Sequence, residues 1–185
     1  SRVFPEFATQ DDVYQDVGRP IVRDVLGGLN ACILAYGQTG SGKSHTMFGP
    51  DRCEDPNERG IIPKLMGELF ATIDYEDNMN EDYSLHASFI EIYNESIRDL
   101  FAPSAVSLRV RQDPSNSLWI PDATQVPVNS AAQVLELLTE GTRNRRKAET
   151  RQNRDSSRSH AVFVVAVHPD HRRNFRSKIV RLKFV

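Results

Sequence analysis

The stretch Gly37-Gln38-Thr39-Gly40-Ser41-Gly42-Lys43-Ser44 constrains this chain more than any other eight residues. It matches the pattern of a glycine, four free positions, Gly-Lys and a hydroxyl residue at every fixed place. Glycines here let the backbone take positive φ and turn its N–H groups inward, which makes a nest for phosphate oxygens. A helix that starts directly after such a loop adds unpaired N–H groups and a favourable dipole. In that setting Lys43 reaches the β- and γ-phosphates and the Ser44 hydroxyl ligates Mg2+. The apolar run Asn30–Tyr36 in front of the loop reads as a buried strand, the context the motif requires. The pattern predicts a nucleoside triphosphate site on a strand–loop–helix unit and leaves the reaction open.

The rest of the chain supplies elements to surround that unit. Val13, Val17, Ile21, Val22 and Val25 recur at three- and four-residue steps and predict a helix over Asp12–Leu26, kinked or split by Pro20 and ended by Gly27-Gly28. A polar loop, 49–60, leads to a second helix opened by Gly60-Ile61-Ile62-Pro63, with Leu65, Leu69, Phe70 and Ile73 on its buried stripe. Tyr83–Asn94 reads as a long strand with Leu85, Ala87, Phe89 and Glu91 on one face and His86, Ser88, Ile90 and Ile92 on the other. Val106–Val110 and Leu118–Ile120 are expected to pair across Asp113–Asn116, with Trp119 as a packing anchor. Asn129 or Ser130 caps a helix carrying Ala131, Val134, Leu135 and Leu138. Ala161–Val167 and Lys178–Val185 are two further strands. Strand–helix alternation early and adjacent strands late predict an α/β fold: a mixed, mostly parallel sheet flanked by helices, as one domain over residues 1–185. Because the last strand runs to Val185, the expectation is a part of something larger.

Composition narrows the function classes. No run of 18 apolar residues suggests a membrane span, and Ser1–Glu6 has no signal-peptide character. Cys32 and Cys53 stand alone, which excludes a disulfide scaffold and fits a reducing compartment, with Cys32 a small hydrophobe inside the buried strand. The net charge of −2 hides an asymmetry: residues 1–100 carry 8 basic and 18 acidic side chains, residues 101–185 carry 15 and 7. The basic stretch Arg143, Arg145, Arg146, Lys147, Arg151, Arg154 and Arg158 has no interleaved aromatic residue, so no nucleic-acid surface is expected. Cations there suit the end of a helix leading into a nucleotide site. His86 and His168 read as isolated polar residues on strands rather than ligands.

A second polar constellation, Asn153-Arg154-Asp155-Ser156-Ser157-Arg158-Ser159-His160, sits just before the strand 161–167. Its hydroxyls can serve a metal or a γ-phosphate, and Arg158 can form a charge-assisted pair. Triphosphatases need such a segment near the terminal phosphate and the attacking water. Together the two segments resemble the motor domain of kinesins. Gly37–Thr46 is similar to that family's phosphate loop, and Asn153–His160 to its first switch. Gly60–Pro63, Phe89–Glu95 and Ile97–Leu100 agree with it in order and separation.

The resemblance implies a P-loop NTPase fold and Mg2+-dependent ATP hydrolysis coupled to movement on microtubules, in the cytoplasm at the cytoskeleton. It implies that Gly37, Gln38, Thr39, Gly40, Ser41, Gly42, Lys43 and Ser44 cradle the phosphates, that His45 flanks the adenine, and that Thr46 completes the motif. Ser44 and Ser157 would hold Mg2+, Asn153 and Ser156 would order the γ-phosphate and water, and Arg158 would pair with a glutamate of the second switch. Arg109 and Arg111 fall on a hairpin similar to one that meets acidic tubulin. ATP rather than GTP fits the lack of an Asn-Lys-x-Asp motif. Oligomerisation would use regions outside these residues. The second switch, Asp-Leu-Ala-Gly-Ser-Glu, is not among residues 1–185. The segment alone is therefore expected to hydrolyse ATP poorly. Two alternatives stay open: a non-motile kinesin-like module that binds nucleotide or microtubules, and an unrelated P-loop kinase acting on a small molecule.

Overall fold

The computed structural model describes residues 2–50, 55–77, 82–103, 106–112, 118–151, 159–170 and 180–184. Thr9 opens the first helix with a reciprocal cap: its hydroxyl accepts from the Asp12 N–H, and the Asp12 carboxylate accepts from the Thr9 N–H. Helix α1 (Gln10–Val13) passes through a π turn (Tyr14–Gly18) into α2 (Arg19–Leu26). Pro20 neither splits nor ends this run. It lies in the first turn of α2, and the backbone widens just before it, where the missing N–H would otherwise leave a carbonyl unpaired. The wide turn swings Tyr14 into the core, and Gly18 makes room for its ring: a Cβ there would lie 2.4 Å from Tyr14 Cδ2. Gly28, at φ +85°, closes α2 as Leu29 N–H bonds back to Asp24 O and Gly28 N–H to Val25 O.

Strand β1 is shorter than the apolar run suggests. It covers Ala31–Ile33, and the chain leaves the sheet at Leu34, so Leu34 and Tyr36 are exposed at 63% and 94%. Cys32 is exposed too, contrary to the buried position expected of it. β1 ends the sheet order, and the pleat turns Ile33 toward the helices and Cys32 to the opposite face.

After β1 come α3 (Lys43–Phe48), a 3-10 turn (Pro56–Glu58) and α4 (Ile61–Asp77). Then follow β2 (Asp82–Tyr93), β3 (Ser96–Asp99), β4 (Arg111–Gln112), β5 (Leu118–Trp119), β6 (Val126–Val128), α5 (Ala131–Arg151), β7 (Ser159–Asp170) and β8 (Val180–Phe184). The main sheet has the order β1-β8-β7-β2-β3, with β6 also paired to β2. The sheet is mixed, as expected, but the balance is reversed. Among the described pairings only β1–β8 is parallel; β8–β7, β7–β2, β2–β3 and β2–β6 are antiparallel. Part of the reason is local. Asn94 and Glu95 both adopt positive φ, 47° and 59°, so β2 turns straight back into β3 through a two-residue hairpin.

The second hairpin is displaced from its expected register. Arg111 pairs with Trp119 and Gln112 with Leu118, while Leu108 bridges to Ile97 beside β3. The expected turn at Asp113–Asn116, like Cys53, lies outside the described residues. Ser130, not Asn129, caps α5, accepting from the Gln133 N–H at 3.2 Å. One core joins the helices to one face of the sheet: Val22, Val25, Met47, Leu65, Leu69, Ile73, Val134 and Leu138 meet Ile33, Leu85, Ala87, Phe89, Phe163, Val165 and Val167. No helix among the described residues is long and apolar enough to cross a membrane.

Candidate nucleotide site

The chain leaves β1 at the sheet edge and returns as α3, whose buried Met47 ties the short helix to the core. Between them Gly40 and Gly42 hold φ of +80° and +88°, the left-handed region that favours glycine. A Cβ at either would meet nothing within 4 Å, so it is backbone conformation, not crowding, that calls for glycine there. Residues Gly37–Gly42, Ser44 and His45 are exposed; Lys43 and Thr46 are half-buried. The Lys43 ammonium curls over its own loop and donates to Gly37 O at 2.7 Å and Gln38 O at 2.8 Å. The ten predicted residues, Gly37 to Thr46, thus form a largely accessible loop and the first turn of α3, with the Lys43 cation folded over the loop.

Sequence reasoning missed a neighbour of that turn. Gln10, in the first turn of α1, lies 3.0 Å from His45 Nδ1 and donates to His45 O at 2.7 Å. A cavity of about 470 Å3 opens beside this contact, lined by Thr9, Gln10, Asp11, His45, Asn57 and Glu58. The floor beneath is firm. Tyr14 donates to Glu68 at 2.6 Å, and burial, followed by that bond, pushes its phenol well above the usual tyrosine range. Lys64 donates to Asp11 at 2.8 Å and holds that carboxyl below its ordinary value, and the Thr9 backbone does the same for Asp12. Gly49 and Gly60 pinch the loop between α3 and α4: a Cβ on Gly60 would lie 2.6 Å from Gly49 N.

The predicted first-switch residues Asn153, Ser156, Ser157 and Arg158 lie outside the described residues. Their C-terminal flank does not. Ile33 pairs with Phe184 and Phe184 with Phe163, so β1, β8 and β7 share a level at the end where β1 gives way to the phosphate loop. Ser159, the first residue of β7, lies four residues beyond that level, at the same end of the sheet. Two strand spacings, about 10 Å, separate the β1 and β7 lines. Arg145 of α5 donates to the buried Glu91 at 3.1 Å and to Ser159 Oγ at 2.5 Å. Asp99, also buried, accepts from the N–H groups of Phe101, Ala102 and Thr124 and orders the turn after β3.

This arrangement has known counterparts. The family model for the kinesin motor domain matches residues 1–185. The chain belongs to the kinesin motor-domain family. It is 44% identical over 164 residues to Kinesin-like protein unc-104 of Caenorhabditis elegans, covering 88% of this chain and 10% of that protein. It is 41% identical over 162 residues to Kinesin-like protein KIF1C of Homo sapiens, covering 87% and 14%. The solved structure of a fast kinesin superposes with a TM-score of 0.91 at 35% identity, covering all of this chain and 51% of the other. The chain therefore spans a small part of the curated kinesins it matches and about half of that solved motor. Its fold is the P-loop NTPase fold of kinesin motors.

Proposed function

We propose that this chain forms the nucleotide-binding half of a microtubule motor that hydrolyses ATP with Mg2+. The observation that carries the reading is the turn after β1: two left-handed glycines, accessible backbone and a lysine ammonium across the mouth, at the end of the sheet where β7 begins. The donors fit a magnesium nucleotide. Lys43 already engages oxygen acceptors and can exchange loop carbonyls for phosphate oxygens, and the Ser44 hydroxyl stands exposed one residue into α3. The loop amides would bind the triphosphate, Lys43 would offset its charge, and Ser44 with Ser157 would hold the metal. Mg2+, when bound, neutralises charge on the phosphate oxygens as the bond to γ-phosphorus breaks. Asn153 and Ser156 orient the attacking water, and Arg158 pairs with a second-switch glutamate. His45, steadied by Gln10, flanks the base. Arg109 and Arg111 offer positive charge to the acidic filament. The motor works at the cytoskeleton, in the cytoplasm, and oligomerises through other regions.

Titration of the full-length chain with a fluorescent ATP analogue tests the site. Binding should need Mg2+ and be lost in Lys43→Ala, while the fold, read by circular dichroism, persists. Equal binding by wild type and Lys43→Ala contradicts the assignment.

A further inference from the structure

The phosphate loop does not account for Arg145. Reaching over from α5, its Nε donates to Glu91 Oε1 at 3.1 Å, and a terminal nitrogen approaches Ser159 Oγ at 2.5 Å and Ser159 O at 3.4 Å. Glu91 is only 2% exposed, and a carboxylate so buried requires a paired cation. A guanidinium suits the place, because it stays charged and presents its donors as a rigid fork. The register explains why one fork serves both residues. Glu91 pairs with Ala161 and Tyr93 with Ser159, so Glu91 and Ser159 share a sheet face one pleat apart. The helix that carries the fork is itself fixed. A Cβ on Gly141 would lie 2.3 Å from Phe89 Cδ1, so α5 packs close on β2, and Asn144 Nδ2 donates to Leu100 O at 2.8 Å. Charge compensation of Glu91 needs one arm of Arg145. The other arm holds Ser159, the residue that directly follows Arg158 in sequence.

We propose that Arg145 is a positioning residue of the nucleotide site. Anchored on Glu91, it locks the first residue of β7 to β2 and α5 and so sets where the serine-rich segment enters the sheet, at the end that bears the loop 37–42. The inference rests on the reading above. It assigns Arg145 to the hydrolytic step and leaves nucleotide affinity to the loop at residues 37–46. Lysine at 145 keeps the charge opposite Glu91 but cannot span both partners. Ser159→Ala keeps the ion pair and removes only the hydroxyl.

The test uses the full-length motor chain with microtubules present: wild type, Arg145→Lys, Ser159→Ala and Glu91→Gln. Steady-state kcat and KM for ATP are measured beside ADP affinity and melting temperature. Arg145→Lys should lose kcat by about tenfold to a hundredfold, the scale of a small misplacement of reacting groups, with ADP affinity unchanged. Ser159→Ala should show the same split, more weakly, at an unchanged melting temperature. Glu91→Gln should resemble Arg145→Lys. Wild-type kcat in both Arg145→Lys and Ser159→Ala overturns the proposal, as does a fall in kcat matched by the fall in ADP affinity. If Arg145→Lys does not fold, Ser159→Ala decides alone. A wild-type chain without turnover overturns the parent reading, and the inference falls with it.

Discussion

Gly67 and Gly141 give one substitution two opposite outcomes. Gly67 sits on the exposed side of α4, with nothing within 4 Å of a built Cβ. Gly67→Ala should therefore express helix propensity alone and stabilise by about 1 kcal/mol. Gly141 is the buried position at which α5 meets β2. A Cβ there would stand 2.3 Å from Phe89 Cδ1 and 2.9 Å from Cε1. Carbon atoms rest at about 3.5–4.0 Å, so the ring has to retreat by more than about 1 Å. It has little room: Phe89 is 3% exposed and lies edge-on to Phe163 at 5.4 Å and Phe101 at 6.2 Å. Overpacking of this kind costs about 1–3 kcal/mol, and an enclosed ring belongs at the upper end. With the propensity gain set against it, Gly141→Ala should destabilise by about 2 kcal/mol, which separates the two variants by about 3 kcal/mol. Urea unfolding followed by far-ultraviolet circular dichroism reads both. Trimming the ring in Gly141→Ala/Phe89→Leu should return part of the loss, a coupling visible in a double-mutant cycle. A Gly141→Ala chain as stable as Gly67→Ala would refute the close approach of α5 to β2, and with it the platform from which Arg145 acts.

Other consequences are simpler to check. Tyr14→Phe removes a hydrogen bond to a carboxylate and should cost about 1.5 kcal/mol at neutral pH. Because the folded state raises the phenol's pKa above its ordinary 10.0, that contribution is intact below pH 10 and fades as pH rises further, so the variant and wild type should converge in strong alkali. The acid limb runs the other way. Asp11 and Asp12 titrate below their ordinary 3.8 in the fold, so their contribution is present above pH 3.8 and lost as pH falls through the depressed values; Lys64→Met, which removes the main cause at Asp11, should flatten that part of an acid-unfolding curve. Glu95 pays for a left-handed conformation at the β2–β3 turn, and Glu95→Gly should stabilise by about 1 kcal/mol in thermal melts.

The sequence carried the glycine turn after β1, α4, β2 and the cap of α5, because each rests on short-range rules: glycine geometry, period and side-chain capping. It misjudged what depends on neighbours far along the chain. The apolar run 30–36 gives no sign that the described sheet ends with it, where Ala31, Ile33 and Ala35 pack on the core while Cys32, Leu34 and Tyr36 are exposed. Strand direction was misread because the return at Asn94-Glu95 uses a left-handed glutamate in place of the glycine that signals a hairpin. Val13 and Val17 revealed a buried helical face, but Tyr14 entered the core through a π turn, whose five-residue hydrogen bonds shift the face by one position. Gln10 and Arg145 were legible only as polar residues. Their partners, His45, Glu91 and Ser159, lie 35, 54 and 14 positions away, and pairing at that range belongs to the fold. Glu91 did carry a signal: a charged residue in phase with Leu85, Ala87 and Phe89 forecasts a buried carboxylate and so a cation to meet it.

Phosphate release by the full-length chain, followed with and without microtubules, bears most directly on the function proposed for the turn after β1. Wild type should release phosphate from Mg-ATP, faster with microtubules than without, and Lys43→Ala should not rise above background in either condition. Release that ignores microtubules, or that survives loss of the Lys43 ammonium, would contradict it.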